Sequence, residues 1–153
     1  RLTYFFVRRT SPSLPPIPPG VEVDSGREED WRVFDRPFPA RLTAVVRVGG
    51  LPAHLSAAFD TGGGVILGGS FTRPEFRGRG CYPLALRWLA AALAPDVREV
   101  WVNCDVRNES SRRGILAAGF RLHRVQFSAP LGSWDPGRWV DAVVRRARAL
   151  MPG

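Results

Sequence analysis

The stretch "FTRPEFRGRGCYPLALRWL", residues 71 to 89, holds the residues best suited to chemistry. Gly78 and Gly80 sit among Arg73, Arg77 and Arg79, after extended-type residues and before an apolar helical pattern. Glycines let a backbone approach a ligand closely, and the first N–H groups of a helix have no partner inside it. The helix dipole adds positive potential at that end. Arg77 and Arg79 supplement it with fixed charge. A loop of this composition is suited to an anion, phosphate above all.

Two common phosphate loops do not fit. A P-loop needs Lys followed by Ser or Thr, and the chain has no Lys. A dinucleotide fingerprint needs G-x-G-x-x-G, and Pro83 stands where the third glycine belongs. Other titratable residues are scattered. Cys81 and Cys104 fall near the carboxyl end of the expected sheet, but a nucleophilic thiol needs an activating partner, and buried packing is the ordinary fate of such a residue. His54 and His123 lie on expected strands and have the pKa range of a base, although structural histidines are commoner. Asp60 and Asp105 read as turn residues, with Asp60 the better candidate for orienting an amine. No spacing of His, Cys or carboxylates points to a metal.

The elements that must position these residues can be read from local patterns. "LTYFFV" at residues 2 to 7 reads as a short strand or an apolar tail, and "SPSLPPIPPG" after it as an extended, polyproline-like lead. "VEV" reads as a strand, then "SGREEDWRVF" as a helix start with Ser25 or Gly26 as cap. "ARLTAVVRV" and "PAHLSAAF" flank Gly49-Gly50, a hairpin signal. "DTGGG" makes the next turn and "VILGGSFT" a third strand of the meander. In "PLALRWLAAALAP", Leu84, Trp88 and Ala92 lie four apart, as do Ala85, Leu89 and Leu93, which predicts a mostly buried helix ended by Pro95. "VREVWVNCDV" is a strand, "NESSRRGILAAGF" a short helix stopped by Gly119, and "RLHRVQFSA" a strand. A last helix starts at Asp135-Pro136, with Trp139 on its apolar face. The alternation predicts an α/β (α+β) fold with a mixed sheet. Residues 1–20 read as a lead and 21–153 as a single domain.

The 153 residues suffice for one core. The net charge of +8 rests on 22 arginines without a single lysine, a pattern that GC-rich coding explains before nucleic-acid binding does. No aromatic-interleaved basic stripe supports a nucleic-acid partner, and no apolar run is long enough to span a membrane. Two cysteines make no disulfide framework, so a cytoplasmic setting is expected.

The loop gains meaning from the residues beyond it. R-x-x-G-x-[GA] between strand and helix, then N-x-x-[AS] and a helix closing on G-F, is the pattern of the GNAT acyltransferase superfamily. "PEFRGRGCYPLAL" together with Asn108, Ser111, Gly119 and Phe120 resembles it, over roughly residues 20 to 127. The resemblance implies a mostly antiparallel sheet with a central splay, flanked by helices. It implies acetyl-CoA or another acyl-CoA as co-substrate, held by Phe71, Thr72, Arg77, Gly78, Arg79, Gly80, Cys81, Tyr82, Asn108, Ser111 and Arg112. The pantetheine arm is expected where the strand ending at Thr72 splays from the strand ending at Cys104.

Three positions depart from the family pattern. Tyr82 replaces the loop's last small residue. The usual acid position, counted back from Gly119-Phe120, is Ile115. The usual base positions are Ile66 and Gly68. The expected activity is N-acetyl transfer to a primary amine of a small molecule, by direct attack in a ternary complex, with Tyr82 and Asp60 as catalytic candidates. The alternative is a non-catalytic CoA-binding or scaffold domain of a larger protein. The last helix packs on the sheet or on a second subunit, so a homodimer is among the expected arrangements.

Overall fold

The structure is a computed structural model in which residues 1–34 and 40–128 are described. The chain opens with β1 (Leu2–Arg9), β2 (Val21–Asp24) and α1 (Glu28–Phe34). It continues through β3 (Leu42–Val48), β4 (Leu51–Thr61), β5 (Gly64–Thr72), α2 (Cys81–Leu93), β6 (Glu99–Asp105), α3 (Glu109–Ala117) and β7 (Arg121–Phe127). The helix expected from Asp135 lies outside the described residues.

The strands form one seven-stranded sheet in the order β2-β3-β4-β5-β6-β1-β7. Every neighbouring pair is antiparallel except β5 and β6, which run parallel. The mixed, mostly antiparallel sheet expected from the sequence is therefore present. "LTYFFV" is a strand, and an interior one: β1 pairs with β6 on one side and β7 on the other. Phe6 and Val7 are buried there.

Helix α2 forms because its apolar residues recur at helical spacing, and it buries Leu84, Ala85, Leu86, Leu89 and Leu93. They pack with Phe6, Val65, Leu67, Val100, Val102, Ile115 and Phe120 in the main core. Each fully buried Leu or Ile there contributes about 1.5–3 kcal/mol of transfer free energy. The opposite face carries a smaller cluster, Phe34, Val45 and Leu55 with Phe71 against it, beneath α1.

Helix α1 is short and is fastened by charge. The Arg47 guanidinium donates to Asp30 at 2.6 and 2.8 Å and to Asp24 at 3.2 Å. Asp30 also accepts from the Arg27 N–H at 2.7 Å, closing the helix start. Hydrogen bonding from Arg47 holds the Asp30 carboxyl below its usual range despite burial.

Candidate functional site

Strands β5 and β6 pair only at Val65–Val100, Ile66–Trp101 and Leu67–Val102, and then part. The cause lies at Gly69, whose φ is +61°. Leu55 pairs with Phe71 and Ala57 with Gly68, so β5 carries one extra residue opposite Ser56. A bulge of this kind bends the strand and raises its twist. It also reverses which residues face inward. Val65 and Leu67 face the core before the bulge, and Ser70 and Thr72 turn toward His54 and Ser56 after it.

The parting leaves a cleft of about 370 Å³, within the range of small-ligand sites. Three walls enclose it. The end of β5 supplies Ser70, Phe71 and Thr72; the loop before α2 supplies Arg77, Gly78 and Gly80; α3 supplies Ser110, Ser111 and Gly114. Cys81, Tyr82 and Pro83, the first turn of α2, lie between them.

Gly78 and Gly80 both take φ +74°, the left-handed conformation that a Cβ disfavours. A Cβ at either would meet nothing within 4 Å, so open space faces both. The first bond of the α2 ladder runs from the Leu84 N–H to the Gly80 carbonyl, which leaves the Cys81 and Tyr82 N–H groups ahead of it. Arg77 donates to the Thr72 carbonyl and Arg79 lies over the Phe76 ring. Neither pairs with a carboxylate among the described residues, so both charges remain available for an anion.

Beneath the cleft runs a buried polar chain. His54 Nδ1 and Thr72 Oγ1 are 2.7 Å apart, His54 Nε2 and Ser56 Oγ 2.7 Å, and Ser56 Oγ and Ser70 Oγ 2.7 Å. Burial presses His54 down to about 3, so its ring is neutral at physiological pH. Burial pushes Tyr82 up to about 12, while Ser70 acts in the opposite sense. The Tyr82 ring stacks near His54, with centroids 5.5 Å apart. Its other edge lies against Gly114, where an added Cβ would stand 2.6 Å from Tyr82 Cδ1. Glycine in α3 therefore makes room for a tyrosine that enters from α2.

The expected site residues divide. Phe71, Thr72, Arg77, Gly78, Gly80, Cys81, Tyr82 and Ser111 meet at the cleft. Asn108 caps α3, its side chain accepting from the Ser111 N–H at 3.0 Å. Arg112 pairs with Glu109 at 2.8 Å. Asp60 stands at the far end of β4, exposed and paired with Arg41 at 2.8 Å. Ile115 is wholly buried in the core. Cys81 and Cys104 are both buried, and burial raises their thiol pKa values, which argues against a nucleophile at either. His123, on the edge strand β7, lies edge-on to Trp101 of β6 and is not among the residues that line the cleft. Sequence reasoning missed the chain itself. Its signal was H-x-S on one strand and S-x-T on the next, pairs whose period of two places each on one face.

The sequence matches no protein-family model and no curated relative. Solved structures do match. A GNAT-family protein from Novosphingobium aromaticivorans aligns with a TM-score of 0.62 at 21% identity, over 82% of this chain and 62% of that one. A GCN5-related N-acetyltransferase from Sphaerobacter thermophilus gives 0.66 at 17%, over 82% and 49%. A tandem GNAT protein from the clavulanic acid biosynthesis pathway gives 0.61 at 15%, over 84% and 54%. The chain thus spans between about half and three fifths of the length of these structures. It has the GNAT acetyltransferase fold.

Proposed function

We propose that this chain is an acyl-CoA-dependent N-acyltransferase that moves an acetyl group to a primary amine of a small molecule. The observation that carries the reading is the parted β5–β6 pair, roofed at its open end by the Gly78–Gly80 loop. A parted pair exposes strand edges, and an extended pantetheine arm can add to such an edge as a strand does. Phe71 and Thr72 supply that edge. The loop and the two uncommitted arginines suit the pyrophosphate, and the open space over both glycines fits a group resting on the backbone.

Acetyl-CoA supplies an activated thioester, and the chain's own residues do the rest. Holding amine and thioester together converts a bimolecular encounter into a local one. Backbone N–H groups of the parted strand would polarise the thioester carbonyl as charge develops on it. Tyr82, a neutral phenol at the cleft, protonates the departing thiolate. It replaces from α2 the acid that the family pattern places on α3, where Ile115 is buried. Asp60, exposed and remote from the cleft, has no part in this reading.

A second reading is a CoA-binding domain without catalysis. It is favoured by Ile66, Gly68 and Ile115, none of which can ionise. Purified protein mixed with acetyl-CoA and a panel of amines separates the two. Release of free thiol that depends on the amine supports transfer. Tight acetyl-CoA binding without thiol release from any amine supports the second reading.

A further inference from the structure

We infer that the Thr72 and Ser70 hydroxyls read two ligand groups of opposite polarity, a carbonyl of the pantetheine arm at Thr72 and an N–H of the attacking amine at Ser70, and that His54 is the positioning residue that couples them. The two ligands are those of the acyl-transfer reading, on which the inference rests. Its basis is geometric. Three consecutive 2.7 Å contacts join Thr72 to Ser70 through the wholly buried His54 imidazole and Ser56 hydroxyl. Thr72 and Ser70 both line the cleft, and Ser56 does not.

Proton counting sets the coupling. Both ring contacts of His54 are hydroxyls, and burial keeps the ring neutral, so it carries one N–H and one lone pair. The ring and the three hydroxyls hold four such protons between them. Three serve the three contacts, and one is left for the cleft. With the ring proton on Nδ1, His54 donates to Thr72, whose own proton is free. Nε2 then accepts from Ser56, Ser56 accepts from Ser70, and Ser70 offers the cleft only lone pairs. With the ring proton on Nε2, every bond reverses. Ser70 then has the free proton, and Thr72 offers only lone pairs.

Position along β5 selects between the two states. The strand runs from the bulge at Gly69 to the glycine loop, so Ser70 lies at the parting and Thr72 nearer the loop. An arm that starts at the loop and ends in a thioester passes Thr72 before Ser70. The attacking nitrogen needs its lone pair for the thioester carbonyl, so it can give the protein only N–H groups. A Ser70 oxygen that only accepts suits it and turns the lone pair toward the thioester. The ring proton then sits on Nδ1, and Thr72 donates to a carbonyl of the arm. No proton passes between protein and ligand in this arrangement. Bound CoA thereby prepares the amine's subsite from two residues away.

The test reads the ring and the two ends separately. With CoA bound, the His54 ring should show the Nδ1–H tautomer in ¹⁵N NMR, in a His123→Gln background. Thr72→Val removes the partner of Nδ1. A buried N–H without a partner is rarer than a bare acceptor, so the ring should change to Nε2–H. Ser70 then turns a proton toward the amine. Thr72→Val and Ser70→Ala should therefore each raise the KM of the panel's fastest amine about 3- to 10-fold, the loss of one hydrogen bond. Turnover at saturating amine should stay within about threefold, because no proton transfer is lost. The double variant should be no worse than the worse single one, because both act through Ser70. By calorimetry, Thr72→Val should also weaken CoA about 3- to 10-fold, and Ser70→Ala should not. Thr72→Ser should behave as wild type. An Nε2–H ring with CoA bound, an amine KM indifferent to Thr72→Val, or multiplying losses in the double variant would overturn the coupling. If Thr72→Val does not fold, Thr72→Ala carries the same test. A wild-type protein that binds CoA and releases no thiol with any amine overturns the acyl-transfer reading and the amine's part in the pair. The ring in the CoA complex then decides the coupling alone, with Nδ1–H upholding it and Nε2–H overturning it.

Discussion

Tyr82 stands between two roles, filling the space that Gly114 leaves and presenting a hydroxyl to the cleft. The first role predicts a cost for any side chain at position 114. Gly114→Ala should gain about 1 kcal/mol of helix propensity. Yet its Cβ would lie 2.6 Å from the Tyr82 ring, so the ring must shift. Thermal stability should change little while turnover falls by about tenfold or more; an unchanged kcat would show that the ring's position does not matter. The second role predicts that Tyr82→Phe, which keeps the ring and removes the hydroxyl, lowers kcat about a hundredfold without weakening CoA binding. His54 adds a pH dependence. Its folded pKa of about 3 lies below the ordinary 6.5, so the unfolded chain takes up the proton first as pH falls. The stability it contributes is complete above pH 6.5 and declines toward pH 3. Denaturant midpoints between those values should fall in the wild type and flatten in His54→Gln.

At the scale of elements, the loop and the bulge define the site, and the two were unequally legible. The helix at 81–93 could be read because Leu84, Ala85, Leu89 and Leu93 repeat at its period and Pro83 sits in its first turn. Gly78 and Gly80 could be read because a strand precedes them and a helix comes after. The bulge could not: Gly68-Gly69 lies inside an otherwise regular strand pattern, and only pairing with β4 shows that Gly69 takes a left-handed φ. Without the bulge, Ser70 and Thr72 would be placed on the wrong face, which is why the polar chain escaped a sequence reading that already held His54. Asn108 was legible as a landmark, and its observed contact is a helix cap.

The loop yields a direct variant. Gly80→Ala keeps the loop short of the severe strain that a β-branched residue meets at positive φ, and costs about 1–2 kcal/mol locally. Its methyl would enter the open space over the backbone, and CoA affinity should fall about tenfold or more by calorimetry. Helix α1 offers a stability counterpart. Asp30→Ala would leave Arg47 buried with only the half-exposed Asp24. A loss of about 3 kcal/mol is expected in chemical denaturation; a loss under about 0.5 kcal/mol would mean that the pair does not fasten the helix.

Across the whole molecule, one strand decides how far the sequence could be followed. The meander β3–β4–β5 was legible from hairpin signals between neighbours in the chain. β1 was legible as a strand or an apolar tail but not in its interior place, because its partners β6 and β7 lie about a hundred residues away and no local pattern names a distant neighbour. Its insertion seats Phe6 and Val7 in the core and stands beside β6, one wall of the parting. No helix among the described residues is long and apolar enough to cross a membrane. The site works as proposed only if the parted strands and the glycine loop bind CoA together. Calorimetric titration with CoA, and with pantetheine as the fragment lacking the pyrophosphate, decides whether they do. One CoA per chain should bind with a dissociation constant below about 1 mM, the upper range for such substrates, and pantetheine at least about tenfold more weakly. No CoA binding at that concentration, or equal affinity for the two ligands, would contradict it.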